Sequence, residues 1–296
     1  MKLTFGIIVF NGDFFLRQVL ESIYPFAHKI CIAEGPVAWW RGKGHVVSTD
    51  KTNEILRRFP DKKKKIQVVD GSKCNWREKD DQCRAWFNLV PSDTDYVVCN
   101  DADEVHTPEN LERLIHYLER AKPTSVGFKS QSFFGGFERI IGGFERDHSF
   151  KRVLQYAHGC TYRTHRQPTL AIAGVDIMGR DVTGNQLHAE TGIEMWHASY
   201  VSPLGVKNKI RYYEGAVISA GNCIPNYFSE VWLPWVQHPE QREAIEKKWK
   251  GVQEFMPTAR GECYTEPFTG THPAIIQRDM PLLKQQFAAE LKRVVI

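Results

Sequence analysis

Asp95-Tyr96-Val97-Val98-Cys99-Asn100-Asp101-Ala102-Asp103-Glu104 is the stretch on which the reading of this chain turns. Tyr96 to Cys99 make a short apolar run with a β-branched pair, the pattern of a strand covered on both faces. Asp101 and Asp103 follow where that strand ends. In open α/β sheets, ligands sit outside the carboxyl ends of the strands. Two carboxylates two residues apart suit one hard divalent cation, Mg²⁺ or Mn²⁺. Such a cation neutralises a diphosphate that the carboxylates alone repel. A bare Asp-x-Asp also recurs by accident, as a solvated turn before a helix. The apolar strand before it and the helix after it favour the ligand reading here.

A strand that ends in Asp101-Ala102-Asp103-Glu104 resembles the metal and nucleotide-sugar motif of GT-A-fold glycosyltransferases, particularly family 2 and the bisecting N-acetylglucosaminyltransferase-like families. The resemblance implies a GT-A, Rossmann-like α/β fold with a parallel-rich mixed sheet and C-terminal helices. It implies a hexosyltransferase-type enzyme that moves a sugar from a nucleotide-diphosphate donor, a UDP-sugar first, to a carbohydrate or other hydroxyl acceptor with inversion. Mn²⁺ or Mg²⁺ is the implied cofactor. Asp103 would then ligate the metal directly, and Asp101 would hold the ribose or a metal-bound water.

The chain has 296 residues, 42% of them hydrophobic and 25% charged, which suits a soluble α/β protein able to bury a large core. A formal net charge of +4 with one basic run, Lys62 to Lys65, does not indicate nucleic acid. The seven cysteines include no Cys-x-x-Cys, which argues against a zinc site or a disulfide framework. Cys31 and Cys99 fall inside apolar strands and read as small core residues. A reducing, cytoplasmic setting is expected. The apolar opening, Leu3 to Phe10, is too short to span a membrane and lacks a signal-peptide cleavage pattern.

Strands and helices alternate from residue 1 to about 130, which predicts a parallel-rich sheet. Strands are expected at Leu3–Phe10, Lys29–Ala33, Ile66–Val69 and Ser125–Phe128. Helices are expected from Phe14 to about Ile23, capped by Asp13; after Ser48-Thr49-Asp50; around Trp76–Phe87; and from Thr107 to before Pro123. The first βαβ unit lacks Gly-x-Gly-x-x-Gly, so a dinucleotide fingerprint is absent. Phe10-Asn11 with Phe15-Leu16 resembles the family 2 opening, in which the end of the first strand approaches the base. By the same resemblance Glu34 contacts the nucleotide, and Arg77, Lys79 and Gln82 face the donor diphosphate and uridine, although a solvated helix face explains those three equally well. Trp39 and Trp40 in the following loop either stack on a ligand or pack on the sheet edge.

Beyond residue 130 the texture becomes rich in glycine and aromatic residues, and Phe133-Phe134-Gly135-Gly136-Phe137 with Ile141-Gly142-Gly143-Phe144 suggests a hairpin or lid. Phe150–Tyr156 and Thr169–Ala173 read as strands. The expected division is a GT-A-like domain over 1–215, with its nucleotide half at about 1–125 and its acceptor half at about 126–215, and a helical extension over 216–296. That extension should hold helices at about 228–236, 240–255 and 281–295, packed through Trp232, Trp235 and Trp249.

Trp196-His197-Ala198-Ser199-Tyr200, followed by a helix bearing Lys209-Ile210 and Tyr212, resembles a segment of the bisecting-transferase-like families. There a late histidine completes the metal shell, which makes His197 the expected third ligand and His188 its competitor. The general base for the acceptor hydroxyl is expected between the motif and that histidine. Its candidates are Asp176, Asp181, Glu190 and Glu194, with Asp176 first. Relatives carry a His-Glu pair near Thr164-His165-Arg166-Gln167-Pro168, but Arg166 stands where the Glu belongs. Two alternatives stay open. One is a sugar-phosphate nucleotidyltransferase, which the absence of a Gly-rich basic loop after the first strand disfavours. The other is a non-catalytic carbohydrate-binding protein on the same fold.

Overall fold

The computed structural model describes residues 1–216, 226–249 and 264–295. In chain order come β1 (Leu3–Val9), α1 (Leu16–Ile23), β2 (Ala27–Glu34), α2 (Ala38–Arg41), α3 (Thr52–Arg58), β3 (Ile66–Asp70), α4 (Lys79–Phe87) and β4 (Tyr96–Cys99). Next are β5 (Glu104–Val105), α5 (Pro108–Ala121), β6 (Ser125–Phe128), β7 (Ser130–Phe134), β8 (Arg139–Ile141), α6 (Phe144–Asp147) and β9 (Phe150–Gln155). β10 (Thr161–Tyr162), β11 (Leu170–Ile172), β12 (Val175–Asp176), β13 (Asp181–Val182), α7 (Gly184–Thr191), β14 (Met195–Tyr200) and α8 (Pro203–Ala216) follow. A π-helical turn, Phe228–Trp232, runs into α9 (Leu233–Gln237), and α10 (Arg242–Trp249), β15 (Thr265–Pro267) and α11 (Ala274–Val295) complete the described chain. Contacts divide the chain into two compact units: Met1–Lys129 with Ser149–Met195, and Ser130–His148 with Trp196–Ile296.

The first unit is built on a sheet of order β13-β6-β9-β4-β1-β2-β3. β1 runs parallel to both β2 and β4, β2 to β3, and β13 to β6, while β9 is antiparallel to β4 and β6. The sheet is therefore mixed and parallel-rich, as expected. β2 and β3 lie on one side of β1 and β4 on the other, so the strand order reverses between β1 and β4. A crevice opens at such a reversal, outside the carboxyl ends of the two strands. Leu3, Phe5 and Ile7 of β1 and Val97 and Val98 of β4 are buried, which explains their continuous apolar runs.

Helices cover the sheet through the faces their apolar spacing predicts. α1 buries Leu16, Val19, Leu20 and Ile23, and α5 buries Leu111, Leu114, Tyr117 and Leu118. Thr107 caps α5 by accepting from Asn110 N, with Pro108 in the first turn. Trp86 of α4 lies over β1 where Gly6 has no side chain; a Cβ there would fall 2.3 Å from the ring. Asp13 does not cap α1, whose first residue is Leu16. Its carboxylate instead accepts from Lys51 N at 3.3 Å, a long-range tie that local sequence rules do not weigh. Cys31 and Cys99 are core residues whose thiols burial pushes up to about 12.

The second unit carries the strand order β15-β8-β7-β14. β7 and β8 form the expected hairpin, with Phe133 opposite Ile140 and its turn at Gly135 (φ 63°) and Gly136 (φ 149°). Phe134, Tyr200, Val206, Ile210, Trp232 and Trp235 share one buried cluster, with Trp249 partly buried against it. The expected helix over 240–255 is present as Arg242–Trp249, and residues 250–255 lie outside the described residues, as do Cys223 and Cys263. α11 begins at Ala274, seven residues before Pro281, which therefore sits inside the helix rather than at its start. Among the described residues, no helix is long and apolar enough to cross a membrane.

Candidate active site

The crevice between β1 and β4 is edged by two loops. After β1, Asn11 adopts φ 52°, and its side-chain oxygen accepts from Thr49 N at 2.7 Å. Asn11 N donates to Ser48 Oγ, and Gly12 N to Thr52 Oγ1. Glu34, at the end of β2, is buried and accepts from Ser48 N at 3.3 Å. Phe10 packs its ring against Trp40 and His45. Phe10, Asn11 and Glu34 thus surround one loop, residues 45–52. Trp40 is buried and Trp39 half-buried, the sheet-edge alternative of the sequence reading.

The second loop is the acidic turn itself, and it folds back on a buried cation. Arg152 of β9 brings Nε to 3.0 Å from each oxygen of Glu104, and Nη2 to 2.8 Å from Asp101 Oδ2. Glu104 is fully buried, while the Asp101 side chain remains 49% exposed. Glu104 Oε2 also accepts from Asp101 N, and Asn100 Nδ2 donates to the carbonyls of Asp101 and Glu104. That leaves Asn100 Oδ1 to accept from His106 Nε2 at 2.8 Å, which assigns the proton to Nε2. Burial, helped by the Arg152 charge, pushes His106 down to about 4, so its ring is neutral at physiological pH. Burial by itself would lower the Arg152 pKa, but the Glu104 and Asp101 carboxylates raise it above the ordinary value.

Of the helix residues expected to face the donor, Gln82 is buried and donates to Gly35 O at 2.7 Å, so it ties α4 to the end of β2. Arg77 is exposed and pairs with Asp81. Lys79 opens α4. The next residue, Asp80, accepts from both Nδ1 and the backbone N of His165, at 2.6 and 2.8 Å.

The carboxylates named as bases are spread over the first unit. Asp176 lies on β12, 3.5 Å from Arg163, and Glu190 on α7, 3.2 Å from Arg120. Asp181 of β13 accepts from Ser125 Oγ, and Glu194 Oε1 lies 3.6 Å from His188 Nδ1. His197 belongs to the second unit, where it is buried in β14 with Nδ1 3.3 Å from Ser132 Oγ.

Arg152, Glu104, His106 and the Asp80–His165 pair were not among the residues expected from sequence. Arg152 reads locally as one charge in a half-polar strand, and only the β4–β9 pairing carries it to the acidic turn. Glu104 had a signal, since it directly follows the Asp-x-Asp.

The turn fits a hard cation in part of its donor set. Asp101 and Asp103 supply oxygen donors at its partly exposed rim, as Mg²⁺ or Mn²⁺ prefers. Both Glu104 oxygens are engaged by Arg152.

Residues 47–167 match the family model described as Glycosyl transferase family 2. No curated protein sequence matches the chain. Among solved structures, TarS of S. aureus (residues 1–349) aligns at a TM-score of 0.44 and 10% identity, over 74% of this chain and 68% of that one. Its complex with UDP-GlcNAc aligns at 0.44 and 11%, over 74% and 69%, and its complex with UDP at 0.43 and 11%, over 74% and 68%. The family 2 match spans α3 to the loop after β10 and so contains the acidic turn and Arg152, which supports a glycosyltransferase reading of the parallel-rich sheet around that turn.

Proposed function

We propose that the protein transfers a sugar from a nucleotide-diphosphate donor, a UDP-sugar first, to a hydroxyl acceptor with inversion, using a divalent cation held by Asp103 and Asp101. The observation that carries this reading is the acidic turn at the carboxyl end of β4, at the reversal of strand order, braced from beneath by Arg152. When bound, the cation offsets the charge that builds on the leaving diphosphate. Glu104 and Arg152 form a neutral pair under the turn, so the carboxylates above it carry the negative charge available to a cation. Asn100 and the neutral His106 fix the turn's backbone and add no charge. The loop at residues 45–52, held by Asn11 and Glu34, is the wall against which the base is proposed to lie.

Calorimetric titration of UDP, GDP, CDP and dTDP, each with Mn²⁺ and with a chelator, tests the reading. Metal-dependent binding of one diphosphate supports it. No binding of any of the four overturns it.

A further inference from the structure

We infer that His165, oriented by Asp80, is the general base that takes the proton of the attacking hydroxyl. The inference rests on the transferase reading, and it departs from the carboxylate bases that the sequence suggested.

The geometry is that of an oriented imidazole. Nδ1 lies 2.6 Å from Asp80 Oδ1, and the His165 backbone N–H meets the same oxygen at 2.8 Å. A carboxylate that accepts from Nδ1 leaves the lone pair on Nε2, the arrangement a proton acceptor requires. The segment is held in place as well as the ring. Arg84, one turn further along α4, donates from Nη2 to Arg163 O at 2.9 Å and from Nε to Tyr162 O at 3.4 Å. The His165 side chain is 29% exposed, which leaves it partly desolvated and still reachable.

The surrounding charges agree with this role. From α4 the ring faces Lys79 and Asp80; from the acidic turn, Asp101 acts on it; Arg163 and Arg166 of its own segment are exposed. Burial lowers its pKa, the Asp80 hydrogen bond opposes that, Lys79 lowers it further and Asp101 raises it. The ring is therefore neutral at physiological pH, and it lies within electrostatic reach of the turn proposed to hold the donor. By contrast, Asp176 and Glu190 are each engaged in an ion pair with an arginine, at 3.5 and 3.2 Å.

In the step itself, the hydroxyl oxygen forms a bond to the anomeric carbon while its proton passes to His165 Nε2. The bond from that carbon to the diphosphate oxygen breaks, and the electron pair leaves with the nucleoside diphosphate. The imidazolium then returns its proton to water. In donor hydrolysis, water takes the place of the acceptor hydroxyl.

Hydrolysis of UDP-N-acetylglucosamine and UDP-glucose, measured beside UDP binding with Mn²⁺, tests the assignment without a known acceptor. H165Q should bind UDP within about twofold of wild type and hydrolyse about a hundredfold to a thousandfold more slowly, losing the acid limb of the pH profile. D80N should move that limb to lower pH, because Asp80 favours the protonated ring. ¹⁵N NMR of the wild type should show the Nδ1–H tautomer at neutral pH. H165Q hydrolysis at the wild-type rate, or an Nε2–H tautomer, overturns the assignment and leaves the transferase reading standing. A wild type that binds no nucleoside diphosphate overturns both.

Discussion

The guanidinium of Arg152 pairs with the carboxylate of Glu104, its Nε equidistant at 3.0 Å from both oxygens, while its Nη2 lies 2.8 Å from Asp101 Oδ2. One buried cation thereby joins β9 to the turn that follows β4. Without it, a fully buried carboxylate and a half-exposed one would repel each other three residues apart. With it, the turn has a fixed shape before any ligand arrives, and pre-organisation of this kind favours binding of a charged ligand.

Removal of the cation should be costly. Arg152→Met removes the buried cation that offsets the Glu104 charge, which is expected to destabilise the fold by about 3–5 kcal/mol in urea unfolding. The double variant Arg152→Met with Glu104→Gln should recover much of that loss, since the buried charge goes with it. If the single and double variants are equally unstable, the pair matters through packing rather than charge.

Asp103→Ala should behave differently, because Asp103 stands at the partly exposed rim of the turn. Its unfolding midpoint is expected to stay near that of the wild type, while Mn²⁺-dependent UDP binding is lost. Asp101→Asn should weaken the same binding and also loosen Arg152. Metal-dependent UDP binding by Asp103→Ala equal to wild type would remove Asp103 from the site.

His106 sets a pH window for stability. Its folded pKa is depressed to about 4 from the ordinary 6.5, so the unfolded chain takes up a proton that the folded chain refuses. Stability should therefore fall as pH drops through 6.5 towards 4 and gain nothing from this group above 6.5. The effect is worth up to about 3 kcal/mol. Urea unfolding at pH 7.5, 5.5 and 4.5 reads it, and His106→Gln should flatten that slope.

Gly6→Ala tests the packing beneath the crevice. The added methyl would meet the Trp86 ring at 2.3 Å, and the ring, 1% exposed, has no solvent side to move into. Overpacking of this kind costs about 1–3 kcal/mol. Gly6→Ala with Trp86→Leu should regain part of the loss in the same unfolding assay.

The alternation of buried strands and amphipathic helices, the Thr107-Pro108 helix start and the Asp101-Ala102-Asp103 turn at a strand end were legible in the sequence. Each depends on neighbours a few residues apart, and side-chain periodicity and capping are local physics. The cap assigned to Asp13 was misread: α1 starts at Leu16 with Phe15 at the cap position, and Asp13 accepts from the distant Lys51 N. The antiparallel entry of β9 between β4 and β6, and with it the arrival of Arg152 at Glu104, came only with the tertiary structure. So did the pairing of Asp80 with His165, residues 85 positions apart in the chain. An isolated arginine or histidine in a sequence has no assigned partner. Burial of two distant charged groups in one place is decided by how the strands are ordered, and no local pattern encodes that order.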